Sequence, residues 1–501
     1  MNPEGHIVYL AAFLVFIAIM IAIGVWVSRR NRSGEDFLMA GRKLTTPLLT
    51  GTTLATLVGT GSSLGAVGFG YENGWAGALY GIGGAAGVFA LLWLFADVRK
   101  HGFMTFPEEI SYYFGANRLI KGVVSVVLFI AEIGWLGAHI LGGSLYLSYL
   151  TGMDPALAKL LVALGFGIYT VIGGYFAVVV TDAVQGTILF VGFTVLAVVS
   201  LVTVGGFSGI EAAVPEPATS ILGVDALGVL PAVSLALVIA VGVLATPSYR
   251  QRIYSANSPR TVRRSFALVG VLFAIFAILP AIAGMAARTM SSGMDNPDLA
   301  FPYLATQVFP LWLGAFLLIA GLSATMSSAS SDAVTGVTIW LRDVTYLVTG
   351  RLPRSEHMVR HSRIALVVVL VLALGGALLA DTIIDYITLM ISTVLTGLLV
   401  AALLGKFWSR STWQGGLAAI TGGVVAAVVV NVSDSLTEFW GNPVIPSLVV
   451  ATVAGVLVSL VTPPTRVSSD EALHALALER AEMDVGTTIR GGEGTSETQH
   501  A

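Results

Sequence analysis

The sequence predicts an all-α polytopic membrane protein of about thirteen transmembrane helices, and three observations carry that prediction. The chain has 501 residues, of which 55% are hydrophobic and 11% charged, with mean hydropathy +0.86. A soluble domain carries about 25% charged residues, so this chain lacks the polar surface a water-exposed fold needs. Roughly 276 apolar residues, at about 20 per crossing, suffice for about thirteen spans. The apolar residues fall in long runs, and the basic residues fall between alternate runs.

The runs, in order, are 7–28, 47–72, 75–97, 119–146, 157–179, 181–205, 228–246, 264–287, 308–341, 362–380, 383–404, 413–432 and 444–462. The first is too long for a signal peptide, has no Lys or Arg before it, and is followed by Arg29, Arg30 and Arg32. It reads as a retained helix with its N-terminus outside. Thirteen spans from an external N-terminus put the loops after odd-numbered runs, and the tail, in the cytoplasm. Those regions and the adjoining helix ends hold 24 of the 26 basic residues, all but Lys159 and Arg288. A missed or invented span would invert every later loop and destroy this positive-inside pattern. The C-terminus is therefore expected in the cytoplasm of a multi-pass cell-membrane protein.

Several function classes are excluded. A net charge of −3 leaves no basic excess for nucleic acid, and the absence of cysteine removes disulfides, zinc–thiolate sites and thiol chemistry. No phosphate-binding loop, HExxH or GxSxG motif occurs, so neither ATP-driven pumping nor hydrolysis has support and the chain does not read as an enzyme. The tail from Pro463 offers a short helix, Asp470 to Met483, and a Gly/Thr/Ser/Glu-rich end, too little for a signalling domain.

Three acids lie within or at the edge of apolar runs: Glu132 in the fourth, Asp182 at the start of the sixth, and Asp332 in the ninth. A charge at the bilayer centre costs about 2.5–3.5 kcal/mol on insertion scales, so such acids mark functional candidates. The competing reading is a paired or protonated structural acid, and for Asp332 a position near cytoplasmic water. Glu132 shares nearly one face with Trp135 and His139. The ninth run also carries six hydroxyl residues in nine positions from Ser323. Ser327, Ser330 and Ser331 share one helix face, with Ala324 and Ser328 on the adjoining ridge. Hydroxyls and freed carbonyls suit a small hard cation; serines also mediate close helix packing. Depth alone allows Asp182 to meet this ladder.

The second run has five glycines between Gly59 and Gly70, each costing about 1 kcal/mol relative to alanine in a helix interior. An interruption at mid-membrane is expected there, and broken helices build transporter sites. A packing face of the GxxxG kind, Gly61 to Gly65, is the alternative. The seventh run, short and containing Pro231, Gly242 and Pro247, opens the second half, so an interrupted segment in each half suggests an inverted repeat.

These residues resemble the sodium/solute symporter family over about residues 5–465. The resemblance rests on Gly34-Glu35-Asp36-Phe37-Leu38-Met39-Ala40-Gly41-Arg42, on Gly173-Gly174-Tyr175-Phe176 through Thr181-Asp182-Ala183-Val184-Gln185, on Gln251-Arg252, and on Ala324-Thr325-Met326-Ser327-Ser328. It implies a five-plus-five inverted-repeat core of the leucine-transporter type. The expected division is 1–46 for the first helix and its loop, 47–205 and 206–404 for the repeats, 405–462 for two peripheral helices, and 463–501 for the tail. It further implies a sodium site from the carbonyls of Ala55, Val58 and Ala324 and the hydroxyls of Ser327 and Ser328. A second sodium, present in some members, would use Asp182, Ser330 and Ser331, with Ser327 shared.

Substrate positions transfer less well. Leu57, Ile239 and Val243 stand where proline transporters carry acidic or aromatic residues, and Leu57 and Thr246 where choline transporters carry tryptophans; only Glu132 and Trp135 survive of the latter cage. Ser62 and Ser63, just past the break, are the remaining candidate solute contacts. The expected activity is sodium-coupled import of a small polar organic solute by alternating access, with Na+, the solute and the lipid bilayer as partners and a monomer as the family default. Proton coupling through Asp182 or Glu132 is the alternative, and a sensor that binds solute without moving it is a third reading.

Overall fold

The computed structural model describes residues 3–29, 34–349, 357–378, 390–464 and 467–485. Among them the fold is helical throughout, with a single isolated bridge between Leu44 and Ala256. Helix α1 spans Pro3–Ser28, and the short α2, Gly34–Met39, follows. The expected second span is two pieces, α3 (Thr46–Leu57) and α4 (Ala66–Asn73), separated by Val58–Thr60 and a wide π turn, Gly61–Gly65. Then come α5 (Ala78–Phe95), α6 (Phe106–Tyr113), α7 (Arg118–Thr151) and α8 (Pro155–Thr203).

Nine described helices are long and apolar enough to cross a membrane, ten if one bent pair counts as a span. The difference from thirteen has local causes. The second span is split by its break, the eleventh run overlaps the undescribed residues 379–389, and the fifth and sixth runs share α8. At 1.5 Å per residue the 49 residues of α8 would reach about 73 Å, more than twice a hydrocarbon core. Gly174 divides it, at φ 63° and ψ −162°, a region essentially reserved for glycine. Phe37 of α2 is buried against this break, within 2.7 Å of where a Cβ on Gly174 would lie. The two family-like motifs are thus packing partners. Gly174→Ala is expected to destabilise the fold by about 1–3 kcal/mol from backbone strain alone, read as a lower unfolding midpoint in detergent; an unchanged midpoint would contradict the assignment.

The break lies earlier than the expected boundary near residue 180. Asp182 therefore sits eight residues past Gly174, about two turns inside the second segment of α8 rather than at its start.

The second half comprises α9 (Val229–Ala245), bent by 45° from α10 (Pro247–Ser255), then α11 (Pro259–Phe276) and α12 (Ile278–Met290). Pro247 begins α10, where a missing N–H is least costly. Helix α13 (Leu311–Ile339) packs on α7, α8 and α3 and ends in a π turn, Trp340–Val344. After it come α14 (Met358–Ala377), α15 (Thr396–Phe407), α16 (Trp413–Asn431) and α17 (Val444–Val461). Trp93, Val202, Trp312 and Val461 stand exposed on the outside, as a lipid-facing surface requires.

The tail helix α18 (Ser469–Val485) opens with a capping box. The Glu471 N–H donates to Ser468 Oγ at 3.2 Å, and Glu471 Oε2 accepts from the Ser468 N–H at 2.8 Å. The Ser468 N–H and hydroxyl, both donating to this carboxylate, hold the Glu471 carboxyl below its ordinary pKa. Ala472 and Leu476 are buried, and Arg480 pairs with Glu108 of α6 at 2.5 Å while Lys121 of α7 pairs with Glu479.

Candidate functional site: a broken helix, a serine ladder and a buried arginine

The last carbonyls of α3 have no following helical turn whose N–H groups would donate to them. Val58, at φ −82° and ψ 65°, is the first residue out of helical geometry. Serine hydroxyls take the freed groups. Ser327 Oγ lies 2.9 Å from Ala55 O, within hydrogen-bond reach, and also 2.7 Å from Ser323 O and 3.3 Å from Ala324 O of its own helix. Ser328 Oγ donates to Thr56 O at 2.9 Å and lies 3.4 Å from Ala324 O. The structure thus brings together four of the five expected residues, Ala55, Ala324, Ser327 and Ser328. It adds the Thr56 carbonyl, which sequence reasoning missed, and places Val58 at the break with its N–H bonded to Leu54 O. Such a cluster, at the partially negative C-terminal end of a helix, offers the neutral oxygens a small hard cation takes. Gly59 lets the two elements meet, since a Cβ there would lie 2.8 Å from Ser328 Oγ and 3.0 Å from His139 Cε1.

One turn further along α13, Ser331 belongs to a different construction. Asp182 Oδ2 accepts from Thr52 Oγ1 at 2.7 Å and Ser331 Oγ at 3.1 Å. It also faces Arg252 Nη2 at 3.3 Å. The same guanidinium nitrogen donates to Ser331 Oγ at 2.7 Å, to Thr52 Oγ1 at 2.9 Å and to Thr56 Oγ1. Its other terminal nitrogen donates to Ser248 O. Arg252 and Asp182 are both fully buried. Of the four residues expected around a second sodium, Asp182 and Ser331 meet, but around a guanidinium. Ser330 turns its hydroxyl to Ser327 O at 3.1 Å, and Ser327 faces Ala55. Counting Arg250 and Arg252 as loop charges had hidden this. Arg250 is equally buried, paired with Glu109 at 3.1 Å and lying 3.5 Å over the Phe95 ring.

Above the serines lies a narrow pocket lined by polar and apolar side chains. Leu57, Ile239, Val243 and Thr246, the positions where the sequence departs from relatives' pockets, all line it, as do Trp135, His139 and Asp332. Asp332 is 3% exposed and pairs with His139 Nε2 at 3.2 Å, correcting its expected place near cytoplasmic water. His139 Nδ1 bonds Thr60 Oγ1 at 2.8 Å, and Trp135 stacks on the imidazole at 6.2 Å. The Trp135 indole N–H and the hydroxyls of Thr246 and Ser248, also lining residues, have no partner among the described residues. Ser62 and Ser63 are not among the lining residues. Ser62 Oγ donates to Leu57 O at 2.8 Å and Ser63 Oγ to Thr60 O at 3.3 Å, so both hydroxyls close carbonyls opened by the break. Glu132 is buried beside α13, close to Gly336, and does not line the cavity.

A helix broken at mid-length, freed carbonyls facing a serine ladder and a buried polar cavity alongside define a secondary transporter with discontinuous helices. The chain belongs to the sodium:solute symporter family, whose sequence model matches residues 37–423. It is 24% identical over 483 residues to sodium/glucose cotransporter 4 of Danio rerio, covering 87% of this chain and 72% of that one. It is also 24% identical over 461 residues to the sodium/pantothenate symporter of Escherichia coli, covering 88% and 94%. A sodium-coupled sialic acid symporter solved in a substrate-bound outward-open state superposes with TM-score 0.81 at 18% identity, over 92% of this chain and 98% of that one. The fold is of the leucine-transporter type, and the chain is a multi-pass sodium-coupled solute symporter.

Proposed function

We propose that the chain moves one sodium ion with one small polar organic solute into the cell across the cytoplasmic membrane, from an outside N-terminus to a cytoplasmic tail. The contact of Ser327 and Ser328 with the carbonyls of Ala55 and Thr56 carries this reading. It joins the broken helix to the ladder at the point where a cation would be shared between them. Sodium is held there by Ala55, Thr56, Ala324, Ser327 and Ser328, with Val58 completing the set through its carbonyl. The solute sits in the cavity beside it, against the Trp135 indole N–H and the hydroxyls of Thr246 and Ser248. Burying polar groups without partners costs free energy that a ligand supplying the bonds recovers.

One charge moving through about 100 mV yields about 2.3 kcal/mol, and a tenfold sodium gradient about 1.4 kcal/mol more. A single ion therefore sustains a solute gradient of a few hundredfold. In proteoliposomes, uptake from a panel of labelled sugars, amino acids, carboxylates and quaternary amines is expected to require an inward sodium gradient for at least one member. Equal uptake of that solute with potassium or choline in place of sodium, or driven by a pH gradient alone, would refute the coupling.

A further inference from the structure

A second, wider pocket, partly open to its surroundings, lies at the end of the bundle where α18 docks. By the orientation proposed above it faces the cytoplasm. Among the described residues four arginines line it, Arg42, Arg99, Arg342 and Arg480, with one lining carboxylate, Glu35. They come from separate parts of the chain: the segment after α2, the turn after α5, the end of α13 and the tail helix.

Each guanidinium is held by neighbouring groups. Arg42 Nε pairs with Glu35 at 2.8 Å and its Nη1 donates to Phe103 O at 3.2 Å. Arg99 Nε donates to Ala256 O. Arg342 Nη2 lies 2.6 Å from Met104 Sδ. Arg480 Nε pairs with Glu108, and its Nη1 donates to Gly102 O at 3.0 Å. Two of them converge. A Cβ built on Gly102 would lie 3.5 Å from Arg480 Nη1 and 3.6 Å from Arg42 Nη1, so these nitrogens are at most about 7 Å apart.

Glu35 and Glu108 offset part of this positive charge, and an anion entering the space would offset more of the repulsion among the guanidiniums. The planar fork of arginine matches phosphate oxygens bidentately, and basic pockets at the cytoplasmic ends of membrane helices receive phosphate headgroups. We propose that this cavity binds a phosphate group, and that the bound phosphate ties the tail helix to the first cytoplasmic loop and to the inner end of α13. The headgroup of an anionic lipid and a free phosphate share this chemistry.

The test uses the full chain, purified in neutral detergent for calorimetric titration with inorganic phosphate at constant ionic strength. In parallel, the chain is reconstituted into vesicles of phosphatidylglycerol and phosphatidylethanolamine, and the lipid that stays bound on re-extraction is quantified. Saturable phosphate binding identifies a free anion as the source, and enrichment of phosphatidylglycerol identifies the headgroup; either supports the site. Arg99→Gln and Arg42→Gln are each expected to weaken the positive arm about tenfold, the loss of one charge-assisted hydrogen bond. Glu35→Gln removes the competing carboxylate and is expected to strengthen it, a gain that a misfolded variant would not show. Absence of both saturable phosphate binding and lipid enrichment overturns the proposal, as does binding that Arg99→Gln and Glu35→Gln leave unchanged.

Discussion

Ser328→Ala is expected to raise the sodium concentration for half-maximal uptake at least about tenfold while leaving the chain folded. The hydroxyl sits 2.9 Å from Thr56 O and 3.4 Å from Ala324 O, so its removal takes one oxygen from the proposed ion shell. A hydrogen bond or ligand contact to a charged group is worth about 1.5–3 kcal/mol, and 1.4 kcal/mol is tenfold. The methyl group of alanine fits without strain, because Ser328 already lies in a regular helix. Ser330→Ala is the matched control. It deletes a hydroxyl that bonds the Ser327 carbonyl one turn back and also meets Tyr169, and sodium dependence should move by less than twofold. Sodium titrations of initial uptake rate for both variants decide the matter. Equal shifts would mean that the ladder acts as a packing surface, and no shift in Ser328→Ala would remove the ion from this position.

What could be read beforehand divides along the range of the interaction. The break was legible because glycine cost is local: five glycines within one turn-rich segment destabilise a helix wherever it sits. The serine face was legible because helical periodicity is local too. The partners were not. Thr56 joins the site through its carbonyl, which every residue possesses, so composition gives no sign of it. Asp332 was placed by depth along its helix toward water, yet burial depends on which helix lies beside it, and His139 of α7 does. Ser62 and Ser63 drew attention as polar residues beside a break. The same break supplies the empty carbonyls that occupy them. Arg252 carried the least visible role: counting basic residues fixes the sidedness of loops, but an arginine at the foot of a bent helix contributes equally to that count when it is buried.

That buried arginine leads to the second large effect. Asp182→Asn is expected to lower the stability of the chain by about 3–5 kcal/mol, since removing one member of a buried pair leaves the other charge uncompensated. Arg252 would keep its bonds to Thr52, Thr56 and Ser331 but lose the only carboxylate within 4 Å of it among the described residues. Arg252→Gln leaves Asp182 with the Thr52 and Ser331 hydroxyls, an anionic oxygen cluster with room where the guanidinium was. In that variant a second sodium should enter, steepening the sodium dependence of uptake above the single-ion form expected of the wild type. The double variant Asp182→Asn, Arg252→Gln should recover part of the stability lost by either single change, the signature of direct coupling. Unfolding midpoints of the four proteins, with and without sodium, measure each term. If the wild type already shows two-ion dependence and Asp182→Asn reduces it to one while keeping its midpoint, then sodium and arginine share the carboxylate. The pair would then be a cation site, and the single-ion stoichiometry would be wrong. If instead the midpoint falls and the ion dependence stays single, Arg252 is the built-in cation of the position where the family resemblance implies a second sodium.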